Sequence, residues 1–202
     1  ANGTVLPPPP SISGMALLCS VPPSGNGKMT LRFLKRSFVD SYRITVGLAA
    51  RKCITNAKLC RTLFFNGQKG SRGSGDAKVE DDFGVSDVDL KRYQGYFQRD
   101  TVATIDLADL SKKLPSAHVG SINDDDDGNY GRAIFADRLP PALVVGAKHD
   151  FIVDREGVEE TARYFGMDGP VTMVDSPHDV MLGRNWGEGA DVLMGWLEEI
   201  GM

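Results

Sequence analysis

Two residues in the last third of the chain have the types and surroundings for proton-transfer chemistry. Asp150 stands in the turn after the apolar run Ala142–Ala147, and His178 in the loop after the shorter run Val171–Val174. A carboxylate beside an imidazole fixes the ring's tautomer and stabilises the imidazolium. The imidazole can then take a proton from a nucleophile and return it to a leaving group. Asp154 is a rival acid, but it has a structural use. It precedes a helical pattern and places Val153 and Val158 at the N′ and N4 positions of a hydrophobic staple. Asp150 has no such use, so it is the candidate acid. A lone loop histidine is ordinarily a surface or packing residue, and His178 gains its interest from the elements around it.

Those elements alternate. Ala142–Ala147 reads as a buried strand, Arg155–Phe165 as a helix with Val158, Ala162 and Phe165 at i, i+4 and i+7, and Val171–Val174 as a short strand. Ala190–Ile200 reads as a helix with Leu193, Trp196, Leu197 and Ile200 on one face. This order implies parallel strands joined by crossover helices, an α/β class. In open sheets of that kind, sites form at the carboxyl ends of the strands, where Asp150 and His178 stand. Upstream, Gly14–Val21 reads as another buried strand, stopped by Pro22-Pro23. Helix is expected over about 28–65, with Leu31, Leu34 and Phe38 on one apolar face. A further helix is expected over Val85–Arg99, with Val88 and Tyr96 among its apolar positions. Residues 66–76 read as a Gly/Ser loop, followed by an acidic patch (Asp76, Glu80, Asp81, Asp82, Asp87, Asp89). Residues 120–132, with Asp124–Asp127, read as an exposed loop, and residues 1–10 as an extended proline-rich leader.

Composition removes several function classes. A net charge of −4 argues against nucleic acid, which needs a basic footprint. No apolar run approaches the roughly 20 residues of a membrane span, and no signal peptide precedes the first strand. The three cysteines, Cys19, Cys53 and Cys60, are no disulfide framework, so they read as buried, inert thiols in a reducing compartment. The expected location is intracellular and soluble, in cytoplasm or plastid. Cys53 and Cys60, seven apart, would share a helix face. No His, Cys, Asp and Glu grouping has metal-ligand spacing, so neither a metal nor a cofactor is expected. PPSGNGKMT fails the phosphate-loop pattern at two of four fixed positions, since Met29 follows Lys28 and Pro22 replaces the first glycine. The aspartate run, aligned on Gly128, puts Ile134 where a calcium loop needs Glu. From Lys28 to Arg61 there are nine Lys or Arg residues and one acid, Asp40. They read as a solvated face offset by the acidic patch, with peripheral contact to anionic lipid as the alternative. His118 and His149 show no role.

The segments around the candidate pair resemble a known superfamily. PALVVGAKHDFIVDREG is similar to strand seven and the acid turn of α/β-hydrolases, and VDSPHDVML to their strand eight and histidine loop. GMALLCSVPPSGNG is similar to strand six leading into the cap. The resemblance covers about residues 11–202 and is strongest over 139–200. The cap resembles that of uncharacterised plant and algal members. It implies a core of residues 14–23 and 139–202, a largely helical cap at 24–138 and a leader at 1–13. It also implies hydrolysis of an ester or related acyl bond in a small lipophilic substrate, with Asp150 orienting His178 as general base.

The sequence departs from the family pattern in one respect. No G-x-S-x-G nucleophile elbow occurs in the 202 residues. The look-alike Gly70–Gly75 has no strand before it. The expectation is therefore an incomplete α/β-hydrolase fold, without the strands and nucleophile that precede strand six, and inactive alone. Its first strand would present an open edge, so poor solubility or partial melting is expected. The alternative is a non-catalytic relative that binds a ligand or acts as a scaffold.

Overall fold

Ala142–Ala147 (β2) is apolar along its whole length because both of its faces are covered. Val144 belongs to a buried cluster with Phe33, Val153 and Val158, whereas Leu143, Val145 and Ala147 belong to a second cluster with Val174 and Val180. The computed structural model describes residues 11–23, 25, 27–48, 50–65, 84–100, 132–167 and 169–202. Within these, β1 (Met15–Leu18), β2 and β3 (Thr172–Val174) form a parallel sheet in that order. Met15 lies opposite Ala142, and Val145 opposite Thr172. Six α-helices accompany the sheet among the described residues: α1 (Gly27–Arg36), α2 (Phe38–Leu48), α3 (Ala57–Cys60), α4 (Asp87–Asp100), α5 (Arg155–Tyr164) and α6 (Trp186–Glu199). A π-helical turn, Arg61–Phe65, runs straight on from α3. The α/β character expected from the alternation is present as mixed helices on a small parallel sheet.

Each face of the sheet has its own cover. On one side α6 supplies Val192, Leu193 and Trp196 to the cluster around Val145. On the other, α5 and the helices between β1 and β2 share a core in which Met29, Phe33, Cys60, Leu63 and Phe65 meet Phe151, Val153 and Val158. Asp154 caps α5 as its position suggested, accepting from the Gly157 N–H at 3.0 Å, with Val153 and Val158 both buried. Ser86 does the same for α4, accepting from Asp89 N–H at 3.1 Å.

The stretch 28–65 is helical in several pieces, and its expected apolar face is not its buried face. α1 stops at Arg36, and Ser37 caps α2 by accepting from Asp40 N–H at 3.2 Å. Leu31, Leu34 and Phe38 are exposed, and the buried residues of α1 are Met29 and Phe33. The cause is electrostatic. Arg32 forks onto Asp154, with Nε and Nη2 each at 2.7 Å from one carboxylate oxygen, and its Nη1 reaches Glu160 at 2.7 Å. With that anchor at its flank, the face shared by Met29 and Phe33, four residues apart, is the one turned to the core. On α4 likewise Val88 and Tyr96 are exposed and Leu90 is buried. Cys53 lies in a 3₁₀ turn (Lys52–Ile54) and Cys60 in α3, so they share no helix, though both are buried and unbridged. Residues 1–10, 66–83 and 101–131 lie outside the described residues. They carry most of the leader, the Gly/Ser loop with its elbow look-alike, most of the acidic patch, the aspartate run and His118. No described helix is long and apolar enough to cross a membrane.

Asp154 and Glu160 are almost fully buried, and Glu160 Oε2 accepts no hydrogen bond. Removing Arg32 would take away the ion pair of Glu160 and leave Asp154 with the longer contact to Arg36 Nη1 at 3.5 Å. Arg32→Met is expected to cost about 3 kcal/mol in urea unfolding. Arg36→Met, which loses a half-exposed pair with Glu156 and the longer contact to Asp154, should cost less, about 1 kcal/mol. Equal losses would show that Arg32 does not dock this helix.

Candidate active site

Because β1, β2 and β3 are parallel, their carboxyl ends meet at one edge of the sheet. Cys19 leaves β1 there, Lys148-His149-Asp150 leave β2, and Asp175 to His178 leave β3. Backbone bonds continue past the strands and tie the three exits together. Cys19 N–H donates to Val145 O at 2.8 Å, Lys148 N–H to Val174 O at 2.9 Å, and His149 N–H to Ser176 O at 3.2 Å.

These ties bring Asp150 and His178 into contact. His178 Nδ1 lies 2.8 Å from Asp150 Oδ2 and 3.0 Å from Oδ1. The Asp150 side chain is 1% exposed. Its Oδ1 also accepts from the backbone N–H of Ile152 at 2.7 Å and of Val153 at 2.9 Å. Asp150 therefore has a structural use that its sequence context did not reveal, since it closes its own turn while holding the imidazole. An ionised carboxylate only accepts, so Nδ1 carries the ring proton and Nε2 keeps its lone pair. Nε2 makes no hydrogen bond among the described residues. The ring rests against Phe64 at 5.8 Å between centroids, and Phe64 packs on Phe97 at 5.1 Å. Asp179 N–H donates to Phe64 O at 3.3 Å, which fastens the histidine loop beneath the π-helical turn.

The electrostatics of the pair are asymmetric. Burial by itself would lower the His178 pKa, but the hydrogen bond and charge of Asp150, with Asp179 behind them, outweigh it and raise the imidazole above its ordinary 6.5. Burial pushes the Asp179 carboxyl up to about 6; the charge of His178 opposes this and that of Asp150 adds to it. Asp179 Oδ2 is buried without a hydrogen bond.

Several neighbours of the pair carried no sequence signal. Cys19 Sγ, an Asp150 oxygen and a His178 ring nitrogen all lie within 4.8 Å of one another. The residues are remote in sequence, and only the parallel pairing brings them together. Burial, then the charge of Asp150, pushes the Cys19 thiol far up, so it stays protonated. His149, read as without a role, pairs through Nε2 with Asp175 Oδ1 at 2.7 Å. Asp175 is held in turn by its backbone, whose N–H donates to Glu188 Oε2 at 2.9 Å and whose carbonyl accepts from Asn185 Nδ2 at 2.7 Å. This network fixes the histidine loop to the start of α6.

No family model, curated protein or solved structure matches the chain.

The raised His178 pKa is open to measurement. Proton NMR of the imidazole is expected to give a midpoint above 6.5, and Asp150→Asn to lower it, because an amide has no charge with which to hold the imidazolium. By linkage, a raised folded value means that the charged ring contributes stability that is fully present below the unfolded pKa and lost as pH rises through the folded midpoint. Equal midpoints in the two proteins would remove Asp150 as the cause.

Proposed function

We propose that Asp150 and His178 are the acid and base of an α/β-hydrolase-type catalytic triad that cleaves an ester or related acyl bond in a small lipophilic substrate. One observation carries this reading. A buried carboxylate, held by two backbone donors, orients an imidazole at 2.8 Å, and among the described residues the far nitrogen of that ring makes no hydrogen bond. Support comes also from the topology. The acid follows the middle strand and the histidine the third, with helices inserted between the first and second. In this reading residues 14–23 and 139–202 form the core and residues 24–138 the cap, and Phe64 and Phe97 supply an apolar wall beside the base.

The chemistry follows from the tautomer. Nε2 takes the nucleophile's proton as the nucleophile attacks the carbonyl carbon. Asp150 stabilises the imidazolium, which returns the proton to the leaving group. A water activated by the same nitrogen then releases the acyl group. Cys19 is beside the pair, but a thiol held protonated is the reverse of an activated nucleophile. The nucleophile in this reading belongs to chain preceding β1, on a strand paired along the β1 edge that is open among the described residues.

Two chains of different length test the proposal with p-nitrophenyl esters. Residues 1–202 alone should show no saturable turnover. A chain extended through the upstream strands should hydrolyse the esters, losing roughly 10⁴-fold in kcat or more with His178→Ala and about 10⁴-fold with Asp150→Asn. Undiminished turnover in His178→Ala would sink the catalytic reading. An extended chain that binds ligand without turnover would make it a binding protein.

A further inference from the structure

We infer that Cys19, Asp150 and His178 together bind a thiophilic divalent cation, with Zn²⁺ the natural candidate, at the carboxyl edge of the sheet. Three ligand types that suit zinc converge there: a thiol sulfur, a carboxylate oxygen and an imidazole nitrogen, all within 4.8 Å of one another. With Zn–S near 2.3 Å and Zn–N or Zn–O near 2.0–2.1 Å, a tetrahedral ion spaces its ligand atoms roughly 3.3–3.6 Å apart. Shifts of about an ångström close the set. The three residues stand on three different strand exits, and backbone bonds across the edge join those exits. Cys19 has a φ of 47°, a left-handed conformation costly for any residue but glycine, and such strain gathers at sites. Its thiol already hydrogen-bonds to Asp150, so sulfur and carboxylate face the same point.

The charge balance points the same way. A second carboxylate, Asp179, follows His178 directly and has a buried oxygen with no hydrogen bond among the described residues. A dication at this edge would answer that carboxylate as well as Asp150. Coordination proceeds with proton balance. The thiol releases its proton to water, the Nδ1 proton moves to Nε2, and the ring stays neutral as Nδ1 takes the metal. Three protein ligands leave a fourth position for water.

The site goes beyond the hydrolase reading and stands without it. One consequence does rest on that reading: a bound ion occupies both partners of the acid–base pair and moves a proton onto Nε2, so it inhibits.

Cadmium titration of the purified protein tests the site, because Cd²⁺–thiolate bonds give an ultraviolet charge-transfer band. The expected result is a band saturating at one equivalent in the wild type and in Cys53→Ala/Cys60→Ala. The band should be absent in Cys19→Ser, and affinity should be weakened at least about tenfold in His178→Ala. Circular dichroism checks that each variant is folded. Independently of any variant, one equivalent of Zn²⁺ should shift the His178 ring resonances of the wild type. No band in the wild type, a band that persists in Cys19→Ser or disappears with Cys53 and Cys60, or unmoved His178 resonances would each overturn the site. Neither readout depends on turnover, so failure here leaves the hydrolase reading untouched, and loss of that reading leaves the site standing.

Discussion

A carboxylate removed from water must have its charge answered, and Asp150 meets that demand in a way that organises the whole edge of the sheet. Its Oδ1 accepts two backbone N–H groups from its own turn, and both oxygens face His178 Nδ1. The first pair of bonds fixes the acid turn after β2. The second fixes the tautomer and direction of an imidazole that arrives from β3. Without the buried acid, neither turn nor ring would have a reason to hold its present orientation.

A second buried acid sets what lies above the pair. Asp154 caps α5 and, with Glu160, receives the guanidinium of Arg32. One residue thus ends the acid turn, starts the helix that covers β2 and docks α1 from the helical segment between β1 and β2. The same segment carries Phe64 onto the His178 ring and takes the Asp179 N–H on the Phe64 carbonyl. The helical cover and the histidine loop are therefore joined by a backbone hydrogen bond and a ring contact, both made by Phe64.

Around His178 the charges are unequal in a productive way. Two carboxylates raise the imidazole, and its own charge opposes, without cancelling, the burial that pushes Asp179 up to about 6. The thiol on the β1 exit is also pushed up, which for a thiol means that it stays neutral. A group that readily accepts a proton beside one that is reluctant to lose its own suits acid–base work at the nitrogen, and it reserves the sulfur for partners that displace its proton.

Local pattern alone decided a good deal about this protein. The β2 boundaries, the cap at Asp154 and the alternation of strand and helix all follow from runs of six to ten residues, because pleat period, helix period and capping are short-range effects. The candidacy of Asp150 and His178 came from the same source, as polar residues placed directly after apolar runs. What the tertiary structure decided is everything that depends on a distant partner. Leu31, Leu34 and Phe38 have helical spacing, yet the buried face of α1 was chosen by Arg32 reaching Asp154 and Glu160, which no window of local sequence contains. Cys19 joined the site only because parallel pairing aligned the ends of β1 and β2, and the support of His149, Asn185 and Glu188 for the histidine loop arose from the meeting of Asp175 with α6. Periodicity shows that a helix or strand has two sides, but the side that faces inward depends on the free energy of contacts with residues far away in the chain.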